Sequence, residues 1–168
     1  MFLIRNIKVS VKVKALILNN ALSCLKKRDI LPKEYCNFII FKSNNFTFIL
    51  FKRKQLEDTH VNITQIPDVV SINKAVKCLI NLINCEVNYY TVDNIIATSD
   101  LKKPIDLTQV LNSNTFERVK YNNEVFPGLF IKFNQGTLIL FHTGKIVIVG
   151  CKSIDSIQWI LNAIHAIK

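Results

Sequence analysis

Glycine and proline are both scarce, four of each among 168 residues. No Gly-x-Gly-x-x-Gly fingerprint occurs, so a dinucleotide-binding turn is excluded. Gly144-Lys145 lies between two apolar strands, not at a strand-to-helix turn, so it is no phosphate loop. The three histidines, 60, 142 and 165, fall in no triad or metal spacing, and the twelve acids form no carboxylate cluster. Catalysis is poorly served, and the chain reads as a non-enzyme with no cofactor. The five cysteines (24, 36, 78, 85, 151) make no Cys-x-x-Cys pair and are odd in number. They read as small buried hydrophobes in a reducing compartment, not as a zinc site. No apolar run approaches the roughly 20 residues a spanning helix needs, so no membrane partner is expected. The start, Met1-Phe2-Leu3-Ile4-Arg5, lacks the pattern of a signal peptide.

What is present is apolar, basic and written twice. Almost half the residues are apolar and the formal charge is +10. The charge is lopsided: residues 1–85 hold 14 Lys/Arg against 5 Asp/Glu, and residues 86–168 hold 8 against 7. Ile4-Arg5-Asn6-Ile7 is answered by Val92-Asp93-Asn94-Ile95. Phe46-Thr47-Phe48-Ile49-Leu50-Phe51 is answered by Gly136-Thr137-Leu138-Ile139-Leu140-Phe141. Each copy closes on a serine-led helix, from Ser71 and from Ser153. A duplication of about half the chain predicts two quasi-symmetric halves, 1–86 and 87–168, and a ligand with two similar ends.

Residues 2–13 alternate at strand period, with Ile7, Val9, Val11 and Val13 against Asn6, Lys8, Ser10 and Lys12. A helix is expected over Asn19–Leu25, strands over 35–42, 46–51 and 61–66, and a loop over 52–60. Ser71 is expected to cap a helix burying Ile72, Ala75, Val76, Leu79, Leu82 and Ile83. The second copy repeats the order: strand 88–97, a short helix after Pro104, strands 126–133, 137–142 and 145–150, and a helix after Ser153 burying Ile154, Ile157, Ile160, Leu161 and Ile164.

The hairpin strands are apolar on both faces. If Leu138 and Leu140 face the helices, Ile139 and Phe141 face away; Phe48 and Leu50 likewise oppose Ile49 and Phe51. An antiparallel sheet usually wets its second face, so an apolar one asks for a partner. A basic chain with such a face could stack single-stranded bases or press wedges into a minor groove. The duplication favours a duplex, because a single-strand platform has no need of twofold symmetry.

Two stretches carry a resemblance. Tyr121-Asn122-Asn123-Glu124-Val125-Phe126-Pro127-Gly128-Leu129 is followed by Leu138-Ile139-Leu140-Phe141-His142-Thr143-Gly144-Lys145-Ile146-Val147-Ile148-Val149-Gly150-Cys151-Lys152. This resembles the C-terminal repeat of the TATA-box-binding protein family, which reads Tyr-Glu-Pro-Glu-Leu-Phe-Pro-Gly-Leu and then Leu-Ile-Phe-x-Ser-Gly-Lys-Val-Val-Leu-Thr-Gly-Ala-Lys. The first copy follows the family's other repeat in element order. The resemblance implies an α+β saddle: two pseudo-symmetric repeats forming one curved antiparallel sheet with helices on its convex side. It implies a nuclear general initiation factor that binds and bends A·T-rich promoter duplex. Asn6 and Asn94 match asparagines that hydrogen-bond base edges. Phe126 and Phe141 match one intercalating pair, and Tyr35 and Phe51 the other. Ile49 and Ile139 match apolar contacts to sugars, Lys132 a phosphate contact, and Thr64 and Val149 base-contacting positions. Glu124 matches an acidic residue offered to transcription factor IIB. Factor IIA-like proteins and the RNA polymerase machinery are the other implied partners.

The departures bear on function. Val149 stands where the family has Thr, and Tyr35 where it has Phe. Asn122-Asn123 replaces Glu-Pro, and Lys52-Arg53-Lys54-Gln55 replaces the Ser-Ser-Gly-Lys turn. Twenty positions separate Phe51 from Ser71, but twelve separate Phe141 from Ser153. Thr64 is the nearest counterpart of the first repeat's Thr. The alternative reading is a related protein-interaction scaffold that has lost TATA selectivity. Thr64 on the uncovered face would favour DNA reading; a loop folded over that face would favour the scaffold.

Overall fold

The computed structural model describes residues 1–14, 16–52, 59–113 and 115–165. It divides into two compact units, Asn6–Asp93 and Met1–Arg5 with Asn94–Lys168. We call them the first and second unit.

The first unit holds most of strand β1 (Phe2–Val13), helix α1 (Leu18–Lys26), strands β2 (Lys33–Glu34), β3 (Phe38–Ser43), β4 (Phe46–Phe51) and β5 (Thr59–Ile66), and helix α2 (Ser71–Ile83). Its strands run antiparallel in the order β2-β3-β4-β5-β1. Asn44 and Asn45 have φ of 49° and 66°, and Ser43 pairs with Phe46. That is the two-residue turn with positive φ at both positions that matches strand twist, and asparagine tolerates it. Alternation then sends Ile39, Phe41, Phe48, Leu50, Val61, Ile63, Val9 and Val11 to one face, where all are buried. Helix α2 packs on β5 and on α1. It buries the six residues expected from its periodicity, together with Cys78. Removing the Leu79 side chain would cost about 2–5 kcal/mol.

The second unit adds β6 (Val87–Asp100, from Asn94 onward), α3 (Leu107–Asn112), β7 (Val119–Asn122), β8 (Phe126–Phe133), β9 (Gly136–Phe141), β10 (Lys145–Cys151) and α4 (Ile154–His165). Its strand order is β6-β10-β9-β8-β7, again antiparallel. Helix α4 packs on β9 and β10, and α3 on β7. Leu129, Ile131, Leu138, Leu140, Ile146 and Ile148 are buried, while Ile139 and Phe141 are only half-buried. The two-faced character read from the hairpin strands is therefore present in both units. The fold class is α+β. No helix among the described residues is long and apolar enough to cross a membrane.

Several local expectations need correction. Ser71 does not cap α2: the Ncap is Val70, and the Ser71 amide donates to the Asp68 carboxylate at 2.7 Å. Ser153 does cap, accepting from the Ser156 amide at 3.2 Å. Strand β3 begins at Phe38, three residues later than expected, and Lys33–Glu34 pairs separately against it. Strand β5 begins at Thr59, and residues 53–58 of the expected loop, with most of the altered turn at 52–55, lie outside the described residues. Ile154 is half-buried, unlike its four partners on α4. The cysteine reading holds for Cys78 and Cys151, which are buried, but Cys36 is exposed. Burial pushes the Cys85 thiol up to about 11, against the opposing pull of its own backbone amide.

Candidate nucleic-acid interface

The site is built from residues that alternation places away from the helices, and its centre in each unit is a bulge. In the first unit Val9 pairs with Ile63 and Ile7 with Ile66, so β5 carries one extra residue there. In the second unit Ala97 pairs with Ile148 and Ile95 with Cys151, so β10 carries one extra residue. The extra residues include Gln65 at φ 65° and Gly150 at φ 83°. Left-handed backbone is what a bulge of this kind requires. The backbone N–H of Gln65 donates to Asn6 Oδ1 at 2.8 Å, and that of Gly150 donates to Asn94 Oδ1 at 2.6 Å. With Oδ1 engaged, Nδ2 is the end of each amide left to donate. The two asparagines singled out from the sequence therefore have the same backbone anchor, one in each unit.

Those pairings also settle register. Ile63 and Ile66 correspond to Ile148 and Cys151, 85 positions on, so Thr64 corresponds to Val149. Thr64 pairs with Thr47, and Val149 with Thr137. Each follows a buried residue, Ile63 or Ile148, and precedes the exposed bulge residue, and each is half-exposed on the uncovered face. By the same register Asn62 corresponds to Val147. Asn62 pairs with Ile49 and Ser10, and Val147 with Ile139 and Thr98. Ile49 and Ile139 are half-buried on that face.

The aromatic residues differ between units. In the second, the Phe126 and Phe141 rings lie 5.9 Å apart, and Phe130 is 5.2 Å from Phe126. They meet over Gly128: a Cβ there would stand 2.7 Å from the Phe126 ring and from Ile139 Cγ2. In the first unit the residue at the Gly128 register is Phe38, since it pairs with Phe51 as Gly128 pairs with Phe141. Tyr35 stacks on Phe38 at 4.7 Å, and Phe38 meets the Phe51 ring edge-on at 6.4 Å. The expected couple of Tyr35 and Phe51 is thus bridged by a third ring. Phe38 was missed by sequence reasoning, although counting back from the Asn44-Asn45 turn pairs it with Phe51.

Polar groups differ as well. In the first unit Ser10 Oγ lies 2.5 Å from Asp93 Oδ2 and 2.8 Å from Asn62 Oδ1, and Lys8 Nζ is 3.1 Å from the same Asp93 oxygen. Burial pushes the Asp93 carboxyl up, but the bonds from Ser10, Lys8 and Thr91 and the Lys8 charge outweigh it and hold it below its ordinary value. The second unit instead has Arg5 Nε donating to Thr98 Oγ1 at 2.8 Å. Lys132 is exposed on β8 opposite Thr137, and its counterpart in the first unit is the exposed Lys42 opposite Thr47. Glu124 is exposed in the turn between β7 and β8, with its amide donating to Asn122 Oδ1 at 3.1 Å.

An α+β chain built of two repeats, each with an anchored asparagine and an uncovered aromatic face, defines the class. The comparisons with known proteins agree. Residues 89–167 match the family model described as transcription factor TFIID (or TATA-binding protein, TBP). The TATA-box-binding protein of Thermococcus sibiricus is 39% identical over 69 residues, 40% of this chain and 36% of that protein. That of Thermoplasma acidophilum is 30% identical over 106 residues, 58% of each chain. These matches span between about a third and three-fifths of the relatives' length. The solved structure of Methanococcus jannaschii TBP shares the fold with a TM-score of 0.79 at 21% identity, over 97% of this chain and 95% of that one. Over residues 89–167 the chain is similar to the TATA-box-binding protein family, and its fold is that of a solved TBP.

Proposed function

We propose that the chain is a transcription initiation factor that binds A·T-rich promoter duplex through the minor groove. The observation that carries this reading is the pair of anchored asparagines. At A·T pairs the minor groove offers only acceptors, adenine N3 and thymine O2. An asparagine whose oxygen is held by a backbone N–H can meet them only with its NH2. Two such donors, one per repeat, suit a duplex of near-twofold symmetry. Rings on the same face then act as wedges that unstack base steps, the mode for which this family is itself an established example. Bending a site costs roughly 1–6 kcal/mol in smooth elastic estimates, which groove burial offsets. Val149 and Ile139 supply apolar contact, Thr64 a hydroxyl, and Lys132 a phosphate contact.

Thr64 lies on the uncovered face, which favours DNA reading over the scaffold alternative. Recruitment through Glu124 of a factor IIB-like partner, binding of a IIA-like factor, engagement of the polymerase machinery and a nuclear place of action belong to the same proposal and rest on the family. The test is a competition assay across a random duplex pool with wild type and Asn6→Ala/Asn94→Ala. The wild type should enrich A·T-rich sequences and the variant should lose that enrichment. A pool left unsorted by the wild type would sink the reading.

A further inference from the structure

The polar cluster of Ser10, Asn62 and Asp93 has no counterpart in the second unit, and its protons can be counted. Ser10 has one hydroxyl hydrogen but lies within bonding distance of two oxygens, Asp93 Oδ2 at 2.5 Å and Asn62 Oδ1 at 2.8 Å. A hydroxyl bond to a carboxylate is the shorter and stronger of the two. The hydrogen therefore goes to Asp93, whose charge Lys8 supports at 3.1 Å. Ser10 then presents lone pairs to Asn62, and an amide can meet a lone pair only through its NH2. Turning the amide over satisfies both partners and sends the Asn62 carbonyl oxygen to the opposite side. The result is an acceptor on a face whose asparagines 6 and 94 are donors.

The minor groove has one donor to offer such an acceptor, the 2-amino group of guanine. Resting on the minor-groove reading above, we propose that Asn62 is a specificity residue that accepts from a guanine amino group, so that the half-site under the first unit includes a G·C pair. Ser10 and Asp93 are positioning residues that set the amide's orientation. The second unit cannot do the same. Val147 occupies the Asn62 register, and Thr98, at the Ser10 register, receives its bond from Arg5. An apolar side chain there leaves a guanine amino group unpaired, so that half-site stays A·T. The target is accordingly directional.

The test uses the full chain and an A·T-rich duplex in which one base pair at a time is replaced by G·C, by inosine·C and by diaminopurine·T. Inosine lacks the 2-amino group, and diaminopurine adds it to an A·T-like pair. At one position, in one half-site, G·C and diaminopurine·T should bind about fivefold or more tighter than inosine·C and A·T. Asn62→Val copies the residue that the second unit carries at that register, and should abolish the difference while A·T-rich duplex is still bound. Asp93→Ala frees the Ser10 hydrogen for the amide oxygen and should move the preference to A·T. Duplex binding with the 2-amino group unfavourable at every position overturns the inference alone. Failure to bind any A·T-rich duplex overturns the proposed function and the inference with it.

Discussion

The two repeats share a backbone device and differ in what they hang on it. Asn6 and Asn94 each accept from the N–H of a left-handed bulge residue, yet one such residue is Gln65 and the other Gly150. Around this common centre the first unit is polar and charged, with Lys8, Ser10 and Asn62 where the second has Ile96, Thr98 and Val147. At the aromatic end the second unit has a bare glycine beneath two rings, and the first fills that place with Phe38. Duplicated folds can thus keep a geometric requirement, because the bulge sets where the asparagine is held, and divide the chemistry between halves.

The largest expected effect separates the aromatic ends. Phe126→Ala with Phe141→Ala should lower affinity for A·T-rich duplex by about a hundredfold, since stacked rings contribute roughly 1–3 kcal/mol each, and should remove most of the bend with the fold retained. Phe38→Ala with Phe51→Ala should cost less, because Tyr35 remains. Equal losses, measured by titration of labelled duplex, would break the comparison.

A smaller effect tests the bulges. A methyl at Gly150 meets only Gly136 Cα at an ordinary 3.7 Å, so Gly150→Ala should destabilise by about 1–2 kcal/mol through its positive φ alone. Gln65 already bears that cost, so Gln65→Gly should leave stability unchanged or raise it by up to about 1 kcal/mol. Denaturant midpoints for the two variants would show opposite or unequal shifts; a matching loss in both would contradict the shared device.

The smallest effect is acid dependence. The Asp93 carboxyl is held below its ordinary value, so it binds protons less readily folded than unfolded. Its contribution is present above the unfolded value of about 3.9 and is lost as pH falls through the folded value. Asp93→Asn should remove that part of the acid limb of a stability profile. An unchanged limb would mean the Ser10 and Lys8 bonds do not stabilise the ionised form.

Much of this was legible in the sequence for physical reasons. Strand alternation showed that Ile139 and Phe141 oppose Leu138 and Leu140, because each face of a strand takes every second residue. The duplication located both asparagines. What stayed hidden depended on register. The bulge at Gln65 lacks the glycine that would have marked it, so Asn62 could not be matched to Val147 from spacing. Phe38 escaped because Tyr35 better fitted the expected aromatic position, although the two-residue turn at Asn44-Asn45 already fixed Phe38 opposite Phe51. Ser71 does not cap α2 because Val70 before it already has helical backbone, which puts Ser71 inside the helix with its own amide donating to Asp68.

The most direct test of the central claim is energy transfer between dyes on the two ends of an A·T-rich duplex as the protein is added. The account predicts that transfer rises to saturation as the duplex bends, with a fully G·C duplex of the same length unbound at the same concentrations. Equal affinity for both duplexes, with end-to-end transfer unchanged, would contradict it.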